Sequence, residues 1–107
     1  MEKRFSEMSE FEIYQEITGL NDKARKAEQM GMGNELAVYE RKITLAKAYL
    51  LDPTMFKPKE VYELKEEEGT HFKISYMNGV FAWGHYVGHE DEEETAFPIS
   101  VLGQKIK

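Results

Sequence analysis

Two histidines with neighbouring carboxylates are the residues of this chain whose types best suit a metal site. His85 and His89 are four residues apart, and Glu90 and Asp91 follow directly. Three nitrogen and oxygen ligands of this kind are enough for a catalytic zinc ion. On a strand, however, residues four apart lie about 13 Å from each other, so one metal could bind both only if the chain bends near Gly88. The pattern therefore favours a loop histidine and a histidine at the rim of a sheet, and no metal is expected.

The other candidates for catalysis lack a suitable setting. Ser75 and Ser100 lie in no Gly-x-Ser-x-Gly elbow, and the chain has no cysteine that could act as a thiol nucleophile. The carboxylates occur in exposed runs such as 90–94, where nothing would raise a pKa for acid catalysis. We therefore expect no catalytic residues and no cofactor, and the sequence argues against an enzyme.

Four large aromatic residues in a β-rich stretch could form a platform that stacks on peptides or on single-stranded nucleic acid. They are Phe72, Tyr76, Phe81 and Trp83. A small domain has few other large apolar groups for its interior, so we predict that these four form the core. Trp83, the only tryptophan, decides between the two interpretations. Tyr62 and Tyr86 have polar or small neighbours and are the better candidates for an interaction surface.

Basic side chains in the first half of the chain suggest a nucleic-acid surface as an alternative. The residues that would carry it are Lys23, Lys26, Arg41 and Lys42. Residues 1–52 hold 8 basic and 10 acidic side chains, however, so this half has no net positive charge. Phosphate binding needs a positive patch, and interleaved acidic residues would screen it. Nucleic acid is therefore the second hypothesis, behind a protein partner that would contact these basic residues together with Tyr62 and Tyr86.

Helical periodicity fills the first half of the chain. Ser9 and Glu12 have the spacing of a capping box, and an apolar stripe follows them. The stripe consists of Ile13, Ile17, Leu20, Ala24 and Ala27. A second helix is predicted at about 34–51, because the residue before Pro53 resists helical dihedral angles. Two helices joined by a short turn that contains glycine should form an antiparallel hairpin at about 9–51.

An Asn-Gly pair between two β-rich runs predicts a β-hairpin in the second half. Asn78 and Gly79 tolerate the positive φ angles of a type I′ turn, and a two-residue loop pairs Met77 with Val80. The further pairs in this register are Tyr76 with Phe81, Ile74 with Trp83 and Phe72 with His85. All the large apolar groups then fall on one side, as an antiparallel sheet with one buried face requires.

Further strands are expected at 60–65 and at 95–102, the latter as a strand or a short turn that returns to the sheet. Several short strands in about 50 residues can hardly form a parallel sheet, because each parallel crossover needs about a dozen residues. A small, bent antiparallel barrel is the natural closure, since it removes exposed edges. We therefore predict an α+β fold in which the antiparallel helical hairpin packs on such a barrel.

Four strings of residues point to a known family. They are NELAVYERK at 34–42, AKAYLLDP at 46–53, ISYMNGVFAWG at 74–84 and PISVL at 98–102. Together they resemble the YfhH-like proteins of Bacillus-type bacteria. The likeness runs over nearly the whole chain. It implies an N-terminal helical hairpin followed by a C-terminal SH3-like barrel, which we place at about 56–104 within a single domain of residues 1–107. It also implies a small bacterial cytoplasmic protein of unknown role, and it brings no catalytic or ligand-binding residues.

Composition limits the role of such a domain. The 107 residues carry a net charge of -6, contain no cysteine and include no apolar run long enough to cross a membrane. The charged segment 1–7 leads into no apolar signal region. We expect a cytoplasmic, non-catalytic module that binds an unidentified protein and no membrane. Self-association into a homodimer through the helical hairpin is left open.

Overall fold

The computed structural model of this protein describes residues 3–107. Met1 and Glu2 begin the charged segment from which the absence of a signal sequence is expected, and they lie outside the described residues. The chain forms two compact units, one that ends at Leu50 and one that begins at Leu51. A single domain over residues 1–107 stays a prediction.

Helix α1 (Glu10–Gln29) begins where its capping box predicts. The hydroxyl of Ser9 accepts a hydrogen bond from the N–H of Glu12 at 3.2 Å, and the Glu12 carboxylate accepts one from the N–H of Ser9 at 3.1 Å. After the helix, Gly31 has a φ angle of 70°, and the N–H of Met32 donates to a carbonyl of the last turn. This is the Schellman arrangement, so local sequence sets both ends of α1.

Helix α2 (Gly33–Ala48) ends three residues before the predicted Leu51. The N–H of Tyr49 donates to the carbonyl three residues back, which tightens the final turn. Asp52 has extended dihedral angles, and its carboxylate caps the following 3₁₀ turn (Pro53–Met55). Proline prevents a helix from passing this point, but it does not require the helix to reach it.

The predicted apolar stripe of α1 forms the core of the first unit together with α2. The buried cluster consists of Ile13, Ile17, Leu20, Ile43 and Ala46. Phe5, which lies in a 3₁₀ turn (Phe5–Glu7), packs on this cluster beside Tyr49. Both helices thus share one apolar seam, as the predicted hairpin requires. No helix in the described part of the chain is long and apolar enough to cross a membrane.

The second unit is an antiparallel sheet, whose strands within residues 51–107 are joined in the order β4-β3-β2-β1-β5. The strands are β1 (Val61–Leu64), β2 (Glu67–Asn78), β3 (Phe81–Tyr86), β4 (Thr95–Pro98) and β5 (Leu102–Lys105). A 3₁₀ turn at Ile99–Val101 separates β4 from β5, so the predicted segment 95–102 contains both a strand and a turn. Two helices followed by this sheet confirm the α+β class. Among the described residues no pairing joins β4 to β5, so the sheet is not closed.

The register of the β2–β3 hairpin differs from the predicted one. Asn78 pairs with Phe81, so the loop consists of Gly79 and Val80, and φ is positive at Gly79 but not at Val80. This is the pattern of a type II′ turn rather than of a type I′ turn centred on Asn78 and Gly79. Val80 is buried, and its carbonyl accepts a hydrogen bond from the N–H of Ile99 at 2.9 Å, which holds the observed register.

An irregularity in β2 between Ile74 and Tyr76 moves the side chains that follow it to the opposite face of the sheet. Ile74 pairs with Gly84, whereas Tyr76 pairs with Trp83. A shift of one residue moves side chains to the opposite face. Phe72 and Ile74 are therefore buried on the face of Gly84, while Tyr76 and Trp83 lie together on the other face. The prediction that all the large aromatic groups share one core face is wrong.

The core of the second unit is a small aromatic cluster centred on Phe72. Phe72, Ile74 and Ile99 are its fully buried large side chains. The ring of Phe72 meets the rings of Phe97 and Tyr86 edge to face, with centroids 5.1 Å and 6.2 Å away. Contacts of this geometry add to the stabilisation that burial provides.

Candidate functional site

The outer face of the β2–β3 hairpin carries a stacked pair of aromatic rings. Tyr76 and Trp83 are cross-strand neighbours, and their rings lie 5.9 Å apart between centroids at an interplanar angle of 3°. Tyr76 is 45% exposed and Trp83 is half-buried. Because stacked rings at this separation attract each other, the pair is formed before any partner binds.

Neighbouring positions of the two strands extend this surface. Phe81 lies on the same face of β3 and is half-buried. Lys73 and His85 pair with each other on the other side of Trp83. We call Tyr76, Phe81, Trp83, Lys73 and His85 the aromatic face. Aromatic groups with a charged border are typical of protein-binding surfaces.

An acidic residue lies beside the cationic border of the aromatic face. The carboxylate of Glu90 accepts hydrogen bonds from the N–H of Gly88 at 3.1 and 3.2 Å. This contact is the main cause that lowers the pKa of Glu90, and the charges of Lys73 and His85 lower it further. Glu90 opens the acidic run 90–94, so a polyanion that approached this border would meet negative charge.

Tyr62 is buried, which contradicts its predicted place at the surface. It is 6% exposed, its ring lies 5.3 Å from that of Phe56, and its hydroxyl donates to Glu60 Oε1 at 2.9 Å. Burial, followed by the nearby carboxylate, raises the pKa of Tyr62 to about 12. The prediction failed because alternate residues of a strand point to opposite faces, so the polar neighbour Glu63 says nothing about the surroundings of Tyr62.

Glu60 connects the start of β1 to β5. Its Oε2 lies 2.8 Å from the Lys105 Nζ, and its Oε1 accepts hydrogen bonds from the Tyr62 hydroxyl and from the N–H of Lys57. The hydrogen-bonded Lys105 ammonium is the main cause that lowers the pKa of Glu60 to about 2. This carboxylate is therefore ionised at neutral pH and holds Lys57, Tyr62 and Lys105 together.

Replacing Glu60 by glutamine should remove a stabilisation that depends on pH. The pKa is about 2 in the folded chain against an ordinary value of 4.5, so the carboxylate stabilises the fold above pH 4.5 and loses this effect as the pH falls toward 2. After screening by solvent, we expect the substitution to lower the unfolding free energy by about 1 kcal/mol at pH 7 and by almost nothing at pH 2. Urea unfolding followed by Trp83 fluorescence measures both values. Glu66→Gln, at an exposed position, is the control, and a loss for Glu60→Gln that stayed constant with pH would contradict the assignment.

Tyr86 is half-buried and belongs partly to the core. Its ring meets that of Phe97 edge to face with centroids 6.0 Å apart. It also lines a cavity of about 500 Å³ together with His71 and His89. Its contribution to an interaction surface stays a prediction.

The structure does not bring the histidines into a metal site. His85 lies on the aromatic face, whereas His89 lies in the loop after β3, with its Nδ1 3.6 Å from the Glu92 carboxylate. Within residues 3–107 no group of three or more histidine, cysteine, aspartate or glutamate side chains is placed to hold a metal ion. The hypothesis of a metal enzyme at His85 and His89 therefore lacks a set of ligands.

Two of the four basic residues that the sequence singled out line a common cleft. Lys23 of α1 and Lys42 of α2 border a space of about 620 Å³, whereas Lys26 and Arg41 are not among its lining residues. No pattern in the sequence predicts a functional role for the apolar residues of this cleft. They include Phe5, Leu45 and Tyr49.

The stacked pair of Tyr76 and Trp83 is the feature that sequence reasoning misplaced. Asn-Gly suits a type I′ turn and Gly-X suits a type II′ turn, and this chain contains both patterns at one site. The small residues Ala82 and Gly84 alternate with Trp83 along β3, and both are buried. This alternation of small residues with Trp83 was the one signal in the sequence that Trp83 lies on the face opposite the core.

Two comparisons with known proteins agree with each other. The profile of a family described as "Protein of unknown function (DUF1811)" matches residues 3–103. The "Uncharacterized protein YfhH" of Bacillus subtilis (strain 168) is 56% identical over 105 residues, which cover 98% of this chain and 99% of that protein. The resemblance inferred from the sequence is confirmed.

Proposed function

We propose, from the geometry of its sheet, a function for this chain, which belongs to the DUF1811 family of proteins of unknown function. It is a non-catalytic protein-interaction module of the bacterial cytoplasm, and its contact surface is the aromatic face. The observation that carries this proposal is the stacked pair of Tyr76 and Trp83, with Tyr76 nearly half exposed. Tryptophan and tyrosine, together with arginine, are enriched among the residues that dominate the binding energy of protein interfaces.

A protein partner fits this surface better than nucleic acid does. The chain has a net charge of -6, and Glu90, the first residue of the acidic run 90–94, lies next to Lys73 and His85. Binding to phosphates depends on neutralising them with an excess of cations, which the aromatic face does not offer. An apolar partner surface, in contrast, gains from covering preformed rings that lose little conformational entropy.

We also propose that residues at about 56–104 form an SH3-like barrel. The strand order supports this, because β5 returns to pair with β1, and the long β2 pairs with both β1 and β3. The 3₁₀ turn at Ile99–Val101 connects β4 directly to β5, so only a short segment separates these two edge strands along the chain. Closure would protect the free edge of β4. Slow hydrogen exchange of the β4 amides that point away from β3 would support a barrel, and fast exchange would contradict it.

The proposed contact surface can be tested with a photo-cross-linking amino acid. Benzoylphenylalanine in place of Tyr76, introduced into the chain in a Bacillus-type host, should form covalent adducts with another polypeptide, a second copy of this chain included. The same amino acid in place of Tyr14, which is 56% exposed on α1, is the matched control. With the partner identified and purified, Tyr76→Ala should weaken its binding about 30-fold or more, whereas Tyr14→Ala should not.

Two results would overturn the proposal. The first is a pattern of adducts from position 76 that equals the pattern from position 14. The second is cross-linking of position 76 to nucleic acid instead of protein, which would return the aromatic face to its role as a stacking platform for bases.

A further inference from the structure

The cleft of the first unit combines an apolar floor with a cationic rim. Its volume of about 620 Å³ lies within the range of small-molecule sites. The floor is built by side chains from both helices and from the segment before α1. They are Phe5, Met8, Leu20, Leu45 and Tyr49. The rings of Phe5 and Tyr49 lie 6.2 Å apart, so the floor includes an aromatic corner. We call this site the helical cleft.

The rim of the helical cleft reverses the overall charge of the protein. It carries four cations and one carboxylate, whereas the whole chain has 14 basic and 20 acidic residues. The cations are Lys3, Arg4, Lys23 and Lys42, and the carboxylate is Glu16. Lys3 pairs with Glu12 at 3.0 Å, but the other three cations form no ion pair with a residue in 3–107. Local excess of one charge raises the local concentration of the opposite ion.

We propose that the helical cleft binds an anionic amphiphile, a single alkyl chain that ends in a carboxylate or a phosphate. The alkyl chain covers the apolar floor, and the head group lies at the rim between Lys23 of α1 and Lys42 of α2. Burial of the chain supplies the affinity, and the two ammonium groups select the charge of the head.

A hydrocarbon chain suits the floor better than a peptide does. A bound peptide brings backbone N–H and C=O groups, and each one that is buried without a partner costs free energy. The uncharged polar groups among the lining side chains are the hydroxyls of Ser6 and Tyr49, and the remaining polar side chains are the charged groups of the rim. An alkyl chain needs no hydrogen-bond partner, so it can cover the apolar floor without burying an unpaired polar group of its own.

The proposal can be tested with pure compounds on the full chain. Isothermal titration calorimetry would compare decanoate, decyl phosphate and decyltrimethylammonium, each below the concentration at which it forms micelles. We expect both anions to bind and the cation to bind at least about tenfold more weakly at low ionic strength. Inorganic phosphate alone should not bind measurably, because it leaves the floor uncovered. Chemical shifts of Phe5, Leu45 and Tyr49 amides should change on binding.

Variants that differ only in position provide the decisive control. Lys23→Glu and Lys42→Glu should each weaken decanoate binding about tenfold. Lys26→Glu and Arg41→Glu make the same change in net charge outside the cleft, so they should change the affinity for decanoate less than twofold. All four residues are exposed, so the fold should survive each substitution, and far-UV circular dichroism would verify this.

Three results would overturn this inference. Equal weakening by all four substitutions would mean that net charge, rather than the helical cleft, attracts the anion. Equal affinity for the cationic amphiphile would mean that the rim selects nothing. A single-stranded oligonucleotide that binds, resists displacement by decanoate and is lost in Lys23→Glu and Lys26→Glu alike would assign the basic residues to nucleic acid. Tyr76→Ala belongs to the other unit and should leave decanoate binding unchanged, which separates this test from that of the proposed function.

Discussion

Replacing Gly84 by alanine should destabilise the sheet by about 3 kcal/mol. A Cβ atom at this position would overlap the carbonyl oxygen of Lys73, and it would lie 2.9 Å from the carbonyl carbon of Lys73 and 3.1 Å from the Cα of Ile74. These are backbone atoms of β2, so no side-chain rotation relieves the overlap. The strands must separate or shift their pairing, and a shift by one residue would move buried side chains to the surface.

The control for this substitution is the same change at Gly19. A Cβ atom at Gly19, in the interior of α1, would meet nothing within 4 Å. Alanine there should stabilise the helix by about 0.5–1 kcal/mol, because glycine loses more backbone entropy on folding. Urea unfolding would be followed by Trp83 fluorescence for the sheet and by circular dichroism at 222 nm for the helices. A Gly84→Ala protein with the stability of the unsubstituted chain would contradict the close approach of β3 to β2.

The helices were predictable because their signals are local. The capping box of Ser9 and Glu12 and the positive φ of Gly31 involve residues within one turn of each other. The apolar stripe of α1 repeats at the helical period and forms the buried cluster as expected. The predicted end of α2 lay too far along the chain, because Pro53 sets only the last position that a helix could reach. Asp52 has extended dihedral angles and caps the next turn, so the helix ends before it.

The register of the sheet was not predictable from the turn sequence. Both turn types suit Asn78-Gly79-Val80, and the choice rests on the burial of Val80 and its hydrogen bond to Ile99, which is distant in sequence. The irregularity after Ile74 has no mark of its own, since Ser75 resembles any solvent-facing strand residue. The type of the turn and this irregularity together decide which face of the sheet holds Trp83.

The candidate sites show the same division. Lys23 and Lys42 could be named from the sequence as basic helix residues, but nothing distinguished them from Lys26 and Arg41. The difference between the two pairs is a matter of which side chains border the cleft, and that depends on how α1 and α2 pack. The apolar seam sets how the two helices pack, and the positions of the charged residues in the sequence do not show this packing.

Phe72→Ala and Tyr76→Ala should differ strongly in their effects on stability, although the sequence alone assigns both residues to one buried face. Phe72 is fully buried among Phe97 and Tyr86, so its truncation should lower the unfolding free energy by about 3–5 kcal/mol. Tyr76 is 45% exposed and gives up mainly its stacking on Trp83, so its truncation should cost about 1 kcal/mol.

The comparison of these two variants also tests the surface on which the proposed function depends. Phe11→Ala is the control for an exposed aromatic residue, because Phe11 is 69% exposed on α1, and its effect should stay within about 0.5 kcal/mol. If Tyr76→Ala were as destabilising as Phe72→Ala, Tyr76 would belong to the core, the hairpin would have the register expected of a type I′ turn, and the aromatic face would not exist. If the costs separate as expected, Tyr76→Ala is a folded protein with an altered surface, so a loss of partner binding in that variant reports on the contact itself.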